Sequence, residues 1–304
     1  MSILVLLSTY DGERFLADQL NSLQAQTQTD VEVLARDDSS HDKTCTLLDN
    51  WSRQMPLHWY AGEHVGSSRS FWDLLSAAGD ADYYAFCDQD DVWDSDKLAV
   101  AIRKLEAIEA QNPGQAALYC SDVRVVDESL QMRADHMVAG FPADYPHALV
   151  KNIAPGCTFV FNRAAREMLC RYDASLHGIE LHDWTTFQIV SCFGHVIFDP
   201  VPHLSYRQHG SNAIGAVDDP RREFARKVSS FWSGPMRNSR ERNARRMEAA
   251  FGNYMTPENR QVTEDFAHYR TQPDSKKHLL RSQSLRLPGK DAALFKLLVF
   301  FNRL

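Results

Sequence analysis

The fold is decided by the stretch Ile3-Leu4-Val5-Leu6-Leu7-Ser8-Thr9-Tyr10-Asp11-Gly12, in which an apolar run leads without interruption into a polar turn. An unbroken apolar run of this length is typical of a strand buried on both faces, as in a parallel sheet. The apolar spacing in residues 15–23 then predicts a helix, and residues 31–35 predict a second strand. The N-terminus is therefore expected to form a βαβ unit.

The same alternation continues along the chain. Further strands are predicted over 57–60, 83–87, 157–161 and 196–198, and helices over 44–53, 70–78, 95–110 and 183–192. Asp94 or Ser95 is the expected cap of the helix over 95–110. Strands that alternate with helices predict a doubly wound α/β fold, in which ligands bind beyond the carboxyl ends of the strands.

Composition excludes several classes of protein. The 304 residues are 44% hydrophobic and 24% charged, which is enough to bury a large core. The six cysteines include no CxxC pair, which argues against a zinc ribbon and a disulfide framework. The opening apolar run is too short for a signal peptide, and no window is long enough to span a bilayer. A cytoplasmic protein with reduced thiols is expected.

Charge divides the chain near residue 220. The net charge is −7, yet residues 220–304 carry 18 lysines and arginines against 8 acidic residues. We expect a domain over 1–219, with halves at 1–111 and 112–219, and a basic, mainly helical extension over 220–304. Clustered arginines with Trp232, Phe295, Phe300 and Phe301 predict docking on an anionic membrane at the inner face of the cytoplasmic membrane, whereas no nucleic-acid-binding fold is recognised. The alternative is that the extension packs on the acidic domain as ordinary amphipathic helices.

Acidic or polar clusters follow three predicted strands. They are Ser8-Thr9-Tyr10-Asp11, Arg36-Asp37-Asp38-Ser39 and Asp88-Gln89-Asp90-Asp91. In an open parallel sheet these ends converge on one crevice, where crowded carboxylates repel one another unless a cation such as Mg²⁺ or Mn²⁺, or a hydrogen-bond donor, lies between them. For Asp88-Gln89-Asp90-Asp91 taken alone, a solvated loop or helix cap is the alternative. Magnesium usually binds through a few carboxylates and substrate phosphates, which indicates a phosphate-bearing substrate. The absence of GxGxxG and GxxxxGK[ST] motifs argues against dehydrogenases and P-loop NTPases.

The motifs together resemble the inverting family-2 glycosyltransferases, which have the GT-A fold with its Rossmann-like, mostly parallel sheet. The resemblance covers residues 2–210 and rests on Leu6-Leu7-Ser8-Thr9-Tyr10-Asp11-Gly12, Arg36-Asp37-Asp38-Ser39-Ser40-His41-Asp42-Lys43-Thr44 and Cys87-Asp88-Gln89-Asp90-Asp91-Val92-Trp93. Val92-Trp93 and the later His182-Asp183-Trp184 are most similar to the rhamnosyltransferase-like members, which build bacterial surface polysaccharides.

The resemblance implies a nucleotide site and a metal site at the strand ends. Ser8, Tyr10 and Asp38 would hold the base and ribose, with Asp38 accepting from the pyrimidine imide. Asp88 would lie near the ribose, and Asp90 would bind the metal ion directly. From its place in a loop after a predicted strand, His209 is expected to complete the metal shell or to meet the diphosphate, and a structural histidine at the strand end is the alternative.

The resemblance also implies a catalytic base, because an acceptor hydroxyl is a poor nucleophile unless its proton is removed. Asp183 occupies that place at the start of a helix, although a helix cap is the alternative. Contact with the acceptor, or support for the residues that make it, is expected of a further set: His182, Gly156, Asp91, Trp184 and Arg207. Arg207 is alternatively a ligand of the diphosphate.

The implied reaction is metal-dependent, inverting transfer of a single sugar. Rhamnose from dTDP-rhamnose is the favoured donor, and the acceptor is a saccharide, free or lipid-linked, of a bacterial envelope glycan such as lipopolysaccharide. The QxxRW motif of processive synthases is absent. A UDP-hexose donor and a non-catalytic saccharide-binding or scaffold protein remain alternatives. A nucleotidylyltransferase would need a glycine-rich basic loop after the first strand, which residues 8–14 do not provide.

Overall fold

The computed structural model describes residues 1–134, 142–209, 237–282, 285, 287 and 289–304. Seven strands form the main sheet: β1 Ile3–Thr9, β2 Val31–Asp37, β3 Leu57–Ala61, β4 Tyr83–Asp88, β6 Ala117–Ser121, β9 Val160–Asn162 and β10 His195–Asp199. Their order across the sheet is β10-β6-β9-β4-β1-β2-β3. All neighbours pair in parallel except β9, which runs antiparallel to both β4 and β6. The mostly parallel α/β sheet is confirmed.

The reversed strand β9 alters one sequence prediction. The sequence predicts a strand over residues 157–161, but residues Gly156–Thr158 form a 3₁₀ turn and the strand begins at Val160. Because β9 is antiparallel, the turn that precedes it lies at the same edge as the carboxyl ends of β4 and β6. The turn is thereby placed beside Asp88.

Helices cover both faces of the sheet. Before residue 210 they are α1 Leu16–Gln24, α2 Thr44–Trp51, α3 Ser67–Ala77, α4 Lys97–Glu109, α5 Tyr145–Ala148, α6 Arg163–Leu169, α7 Ala174–His177 and α8 His182–Phe193. The alternation along β1 sorts the core: Val5 and Leu7 pack with α1 and α4, whereas Leu4 and Leu6 pack on the side of α3 and α8. Because successive side chains of β1 point to opposite faces and none in its apolar run is polar, this strand contributes to the hydrophobic layer on each face of the sheet.

Helix α4 begins later than the sequence predicts. Its first residue is Lys97 and the preceding residue, Asp96, makes no side-chain cap bond. The predicted cap Asp94 instead accepts two bonds from Arg124, at 2.9 and 2.5 Å. The carboxylate is used to join two segments that are far apart in sequence, which a local pattern does not reveal.

A small second sheet lies beside the acidic motif. Its strands are β5 Val92–Trp93, β7 Arg124–Val126, β8 Met132–Ala134 and β11 Leu204–Arg207, in the order β5-β11-β7-β8. Leu204 pairs with Trp93 in antiparallel register, so the end of β11 passes directly by the segment that follows Asp91. This sheet was not predicted from the sequence.

The chain after residue 236 packs on the main domain. Its helices are α9 Ser239–Phe251, α10 Pro257–His268, α11 Pro273–Arg281 and α12 Gly289–Phe300. Met247, Phe266 and Phe295 belong to the same buried cluster as Leu6 and Phe86 of the sheet. The described part of the basic extension therefore follows the alternative of helices packed on the acidic domain. The predicted boundary at residue 220, Trp232 and the arginines between 221 and 226 lie outside the described residues.

No helix in the described ranges has both the length and the apolar character to cross a membrane. None of the six cysteines is bonded to another.

Candidate active site

The predicted strand ends come together at one edge of the sheet. Ser8 of β1 is the register partner of Asp88 of β4, and Thr9 is the partner of Asp37 of β2. The Ser8 hydroxyl lies 2.7 Å from that of Ser70 on α3. Three clusters that are separated in sequence thus border a single crevice, as the parallel topology requires.

Gln89 joins the first cluster to the third. The Tyr10 amide donates to Gln89 Oε1 at 2.9 Å, and Gln89 Nε2 donates to the Tyr10 carbonyl at 2.8 Å. A Cβ on Gly12 would lie 2.2 Å from Gln89 Oε1, so a larger residue there would displace the Gln89 side chain that bonds to Tyr10. The Tyr10 ring is left 40% exposed, with its centroid 4.5 Å from that of His64. Gln89 and His64 were not predicted, because neither has a motif of its own.

Asp38 is occupied by the protein itself. Its carboxylate is 2% exposed and accepts from the amides of Val65 at 3.0 Å and Gly66 at 2.8 Å, and from Arg36 at 2.5 Å. Burial alone would raise the pKa of Asp38, but these bonds hold it below its usual range. The structure shows that Asp38 fixes the loop before α3. Its contact with a pyrimidine imide stays a prediction, and it requires one of these bonds to be given up.

Asp88 and Asp91 lie deepest in the crevice. Ligand atoms of Asp88, Asp91 and Cys157 all lie within 4.8 Å of one another. Burial, followed by the charges of Asp90 and Asp183, raises the pKa of Asp88 to about 8. Burial also raises the pKa of Asp91, whose Oδ2 has no hydrogen-bond partner among the described residues. The sequence predicted the carboxylates but not the thiol.

Lys97 was missed altogether. It is fully buried, with Nζ 3.4 Å from the centroid of the Trp93 ring, and its charge acts on that of Asp91. Burial lowers the pKa of Lys97 to about 8. From sequence alone, a lysine in the first turn of an amphipathic helix is expected to be exposed to solvent, so no sequence signal distinguishes the buried Lys97 from a surface lysine.

Asp90 is held from the second sheet. His209 Nε2 lies 2.7 Å from Asp90 Oδ2. Arg207 is buried and donates through Nε to the Asp90 carbonyl at 2.8 Å and through its other nitrogens to the Glu128 carbonyl and the Asp18 carboxylate, at 2.5 and 2.7 Å. The Arg207 amide donates to Asp91 Oδ1 at 3.1 Å. Arg207 therefore supports the acidic motif, which is one of the roles expected of it, while contact of its guanidinium with the diphosphate stays a prediction.

Asp183 lies on the first turn of α8. Its Oδ1 accepts from the Trp184 amide at 2.6 Å, whereas the cap position is Leu181, so Asp183 is not the helix cap. Burial raises the pKa of Asp183 to about 6, and the charge of Asp183 acts on Asp88 across the crevice. A carboxylate with this pKa is ionised at neutral pH and still basic enough to accept a proton.

Gly156 and His182 pack against each other beneath Asp183. A Cβ on Gly156 would lie 2.5 Å from His182 Nε2 and 3.2 Å from Asp183 Cβ. The imidazole stacks on Phe71 with centroids 4.1 Å apart, and burial lowers the pKa of His182 to about 3. His182 is thus neutral, and its Nε2 has no hydrogen-bond partner within the described ranges. Contact of His182 or Gly156 with the acceptor stays a prediction.

Trp184 faces the core instead of the crevice. It is buried, and its indole N–H donates to the Ala148 carbonyl at 2.6 Å. Trp184 joins α8 to α5 and so supports the helix that carries Asp183, while its contact with an acceptor stays a prediction.

The donor set fits a divalent cation. Carboxylates are the oxygen ligands that Mg²⁺ and Mn²⁺ prefer, and imidazole is a common nitrogen ligand of transition metals. The raised pKa of Asp88 and the unpartnered oxygen of Asp91 both indicate a site with more negative charge than the described side chains compensate. That Asp90 and His209 hold such an ion, with Asp88 near the ribose, stays a prediction.

Comparison with known proteins identifies the family. A parallel sheet with a nucleotide-type crevice and an acidic DxD motif defines a glycosyltransferase-like class, and the model of the glycosyl transferase family 2 matches residues 4–169. The chain belongs to this family, and it is a glycosyltransferase.

Two curated relatives share part of the sequence. The chain is 26% identical to the dTDP-rhamnosyl transferase RfbG of Shigella flexneri over 223 residues, which are 69% of this chain and 74% of RfbG. It is 33% identical to an uncharacterized glycosyltransferase of Nostoc sp. over 100 residues, which are 32% of this chain and 31% of that protein.

Two solved structures share the fold. Residues 1–349 of S. aureus TarS, in complex with UDP-GlcNAc, superpose with a TM-score of 0.55 at 12% identity, covering 100% of this chain and 93% of that one. The mannosyltransferase PcManGT from Pyrobaculum calidifontis, with GDP-Man and Mn²⁺, gives 0.51 at 14% identity, covering 98% and 79%. These likenesses confirm the GT-A fold.

Proposed function

We propose that this chain transfers a single sugar, rhamnose from dTDP-rhamnose, to a saccharide acceptor of a bacterial envelope glycan, with inversion at the anomeric carbon. The observation that carries the proposal is the position of Asp183, which faces the Asp88–Asp90 motif from the start of α8. The similarity to RfbG supports the donor.

The residues divide the chemistry between two sides of the crevice. On the donor side, Ser8, Tyr10, Asp38 and Asp88 are proposed to hold the nucleotide. A divalent cation bound at Asp90 and His209 would neutralise the charge that develops on the departing nucleoside diphosphate.

On the acceptor side, Asp183 is proposed to accept the proton of the acceptor hydroxyl. The hydroxyl oxygen forms a bond to the anomeric carbon while the bond from that carbon to the diphosphate oxygen breaks on the opposite face. The proton stays on Asp183 Oδ, and the nucleoside diphosphate leaves with the electron pair. Neutral His182 supplies no counter-charge, which keeps Asp183 basic.

Calorimetric titration with TDP and with UDP, each with Mn²⁺ and with EDTA, is the first test. We expect binding that requires Mn²⁺ and prefers TDP. A preference for UDP would retain the transferase and replace rhamnose by a UDP-hexose, and no binding of either nucleotide would favour a non-catalytic protein. Transfer is then measured with dTDP-rhamnose as release of TDP that depends on a saccharide acceptor.

We also propose that the C-terminal helix α12 docks on an anionic membrane, where a lipid-linked acceptor would be presented. Leu297, Phe300 and Phe301 are exposed large apolar side chains within five residues, and Phe300 is 63% exposed. Lys276 donates to the Phe300 carbonyl at 2.9 Å, which places a cation beside them. Exposed apolar side chains beside a lysine match the surface of an anionic bilayer.

Vesicle sedimentation tests the docking. Binding to anionic vesicles should fall with added salt, be absent with neutral vesicles, and weaken in Phe300→Ser. Tyr254→Ser removes a more exposed aromatic ring on another surface and should have no effect. Equal losses in the two variants would exclude docking through α12.

A further inference from the structure

The loop of residues 177–181 leads directly into α8 and hence to Asp183. Side chains from three other segments hold its backbone oxygens: Arg246 Nε donates to His177 O at 3.1 Å, Tyr172 Oη to Gly178 O at 2.6 Å, and Ser68 Oγ to Glu180 O at 3.2 Å. The loop is therefore fixed from outside.

Glu180 supplies the charged part of this fixation. Its carboxylate is mostly buried and accepts from Arg242 at 2.8 and 3.3 Å, and from Arg246 at 3.3 Å. Both arginines lie on α9. Charge-assisted bonds to a partly buried carboxylate are stronger and more directional than neutral ones.

No side chain before helix α8 caps its first turn. The cap residue is Leu181, which offers no side-chain bond, and the Trp184 amide is bonded by Asp183 itself. Glu180 directly precedes Leu181. The position of the first turn, including Asp183, therefore depends on how the preceding loop is held.

We propose that Glu180 is a positioning residue. Arg242 and Arg246 of α9 bind the Glu180 carboxylate and thereby hold Asp183 in place. The inference rests on the proposed role of Asp183 as the base. It makes α9, which lies outside the matched family region, a working part of the site.

Glu180→Gln tests the inference, because glutamine keeps the shape and removes the charge. Amide exchange in residues 181–186 should rise about fivefold, and kcat should fall by about the same factor, while Mn²⁺-dependent nucleotide affinity stays within about twofold. Arg242→Gln should change amide exchange and kcat in the same way. The double variant Glu180→Gln, Arg242→Gln should show no larger change in exchange or kcat than either single variant. Arg245→Gln is the matched control, since this arginine of α9 pairs with Glu241 instead.

The two readouts separate this inference from the proposed function. Unchanged exchange at the start of α8 would overturn the inference, as would raised exchange with unchanged kcat or a rise spread equally over the central strands. If the unmodified protein transfers no sugar, the proposed function fails, and exchange alone decides whether Glu180 holds the helix start.

Discussion

Single carboxylates in the crevice differ in how their charge is compensated. Asp38 is bonded to two amides and an arginine, and its pKa lies below its usual range. Asp183 accepts from amides, yet burial raises its pKa to about 6. The first arrangement suits a structural anion, and the second suits a group that accepts a proton during a reaction.

Asp183→Asn is expected to lower kcat by about 10²–10⁴-fold, because the amide cannot accept the acceptor proton. Nucleotide affinity should stay within about twofold of the original, since Asp183 lies on the other side of the crevice. Both are measured by transfer kinetics and calorimetry. Asp274→Asn, an exposed carboxylate of α11, is the control, and near-original transfer by Asp183→Asn would require another base.

The pH profile should have a limb set by Asp183. The base must be ionised, so kcat is constant above its pKa and falls about tenfold per pH unit below about 6. The profile is measured at saturating donor and acceptor after confirming that the protein recovers full activity from each pH. A flat profile through pH 6 would argue against Asp183 as the group that takes the proton.

Among the elements, the turn before β9 and the end of β11 carry the site. The turn brings Gly156 against His182 and Asp183, and β11 brings Arg207 and His209 to the acidic motif. Neither element contains a recognisable motif by itself. Both depend on strands that join distant parts of the sheet.

Gly156→Ala should displace the start of α8, because its Cβ would overlap His182 Nε2. We expect kcat to fall at least about tenfold and the free energy of unfolding to fall by about 1–3 kcal/mol. Gly79→Ala is the matched control, since a Cβ there meets nothing within 4 Å. Denaturant unfolding and transfer kinetics check both, and equal behaviour of the two variants would contradict the packing argument.

Arg207→Lys should disturb the acidic motif while keeping the charge. Lysine keeps the positive charge but cannot reproduce the planar fork that reaches three oxygens, so we expect a loss of about 1–3 kcal/mol in the free energy of unfolding and weaker Mn²⁺-dependent nucleotide binding. Arg14→Lys, an exposed arginine paired with Glu128, should change stability by at most about 0.5 kcal/mol.

The sequence predicted the parallel strands and their acidic ends well, because continuous apolar runs and Asp-rich turns are local signals. It did not predict the direction of β9, the second sheet, or the partners of Arg207, because these depend on contacts between segments that no local pattern relates. The Glu128 and Asp18 partners of Arg207 lie 79 and 189 positions away. The sequence did not predict that Trp184 and Arg207 are buried and bonded to backbone carbonyls. A side chain's type does not reveal whether a carbonyl elsewhere in the chain already engages it.

At the scale of the whole molecule, the catalytic domain and the C-terminal helices share one hydrophobic core. Phe266 of α10 is fully buried in the cluster that includes Leu6 and Phe86. The described basic residues Arg242 and Arg246 bind Glu180 of the acidic domain. Part of the opposite charge of the two regions seen in the sequence is therefore paired within the molecule.

Phe266→Ala should destabilise the entire protein. We expect a loss of about 3–5 kcal/mol in the free energy of unfolding, with exchange in β1 and β4 accelerated together with that in α10. Tyr254→Ala, at an exposed position, should stay within about 0.5 kcal/mol. If α10 opened alone while the strands kept their protection, the shared core would not be one cooperative unit.

The bond from Arg207 to Asp18 has a consequence for how the protein is made. It joins residues 189 positions apart, and His209 meets Asp90 over 119 positions. Closing loops of this size is slow and comes after local pairing. On the ribosome, β1 to β4 therefore emerge and pair while the acidic motif still lacks the Arg207 guanidinium and the His209 imidazole that support it. Until residue 209 has left the exit tunnel, the nascent sheet carries the carboxylates of the site without the site itself.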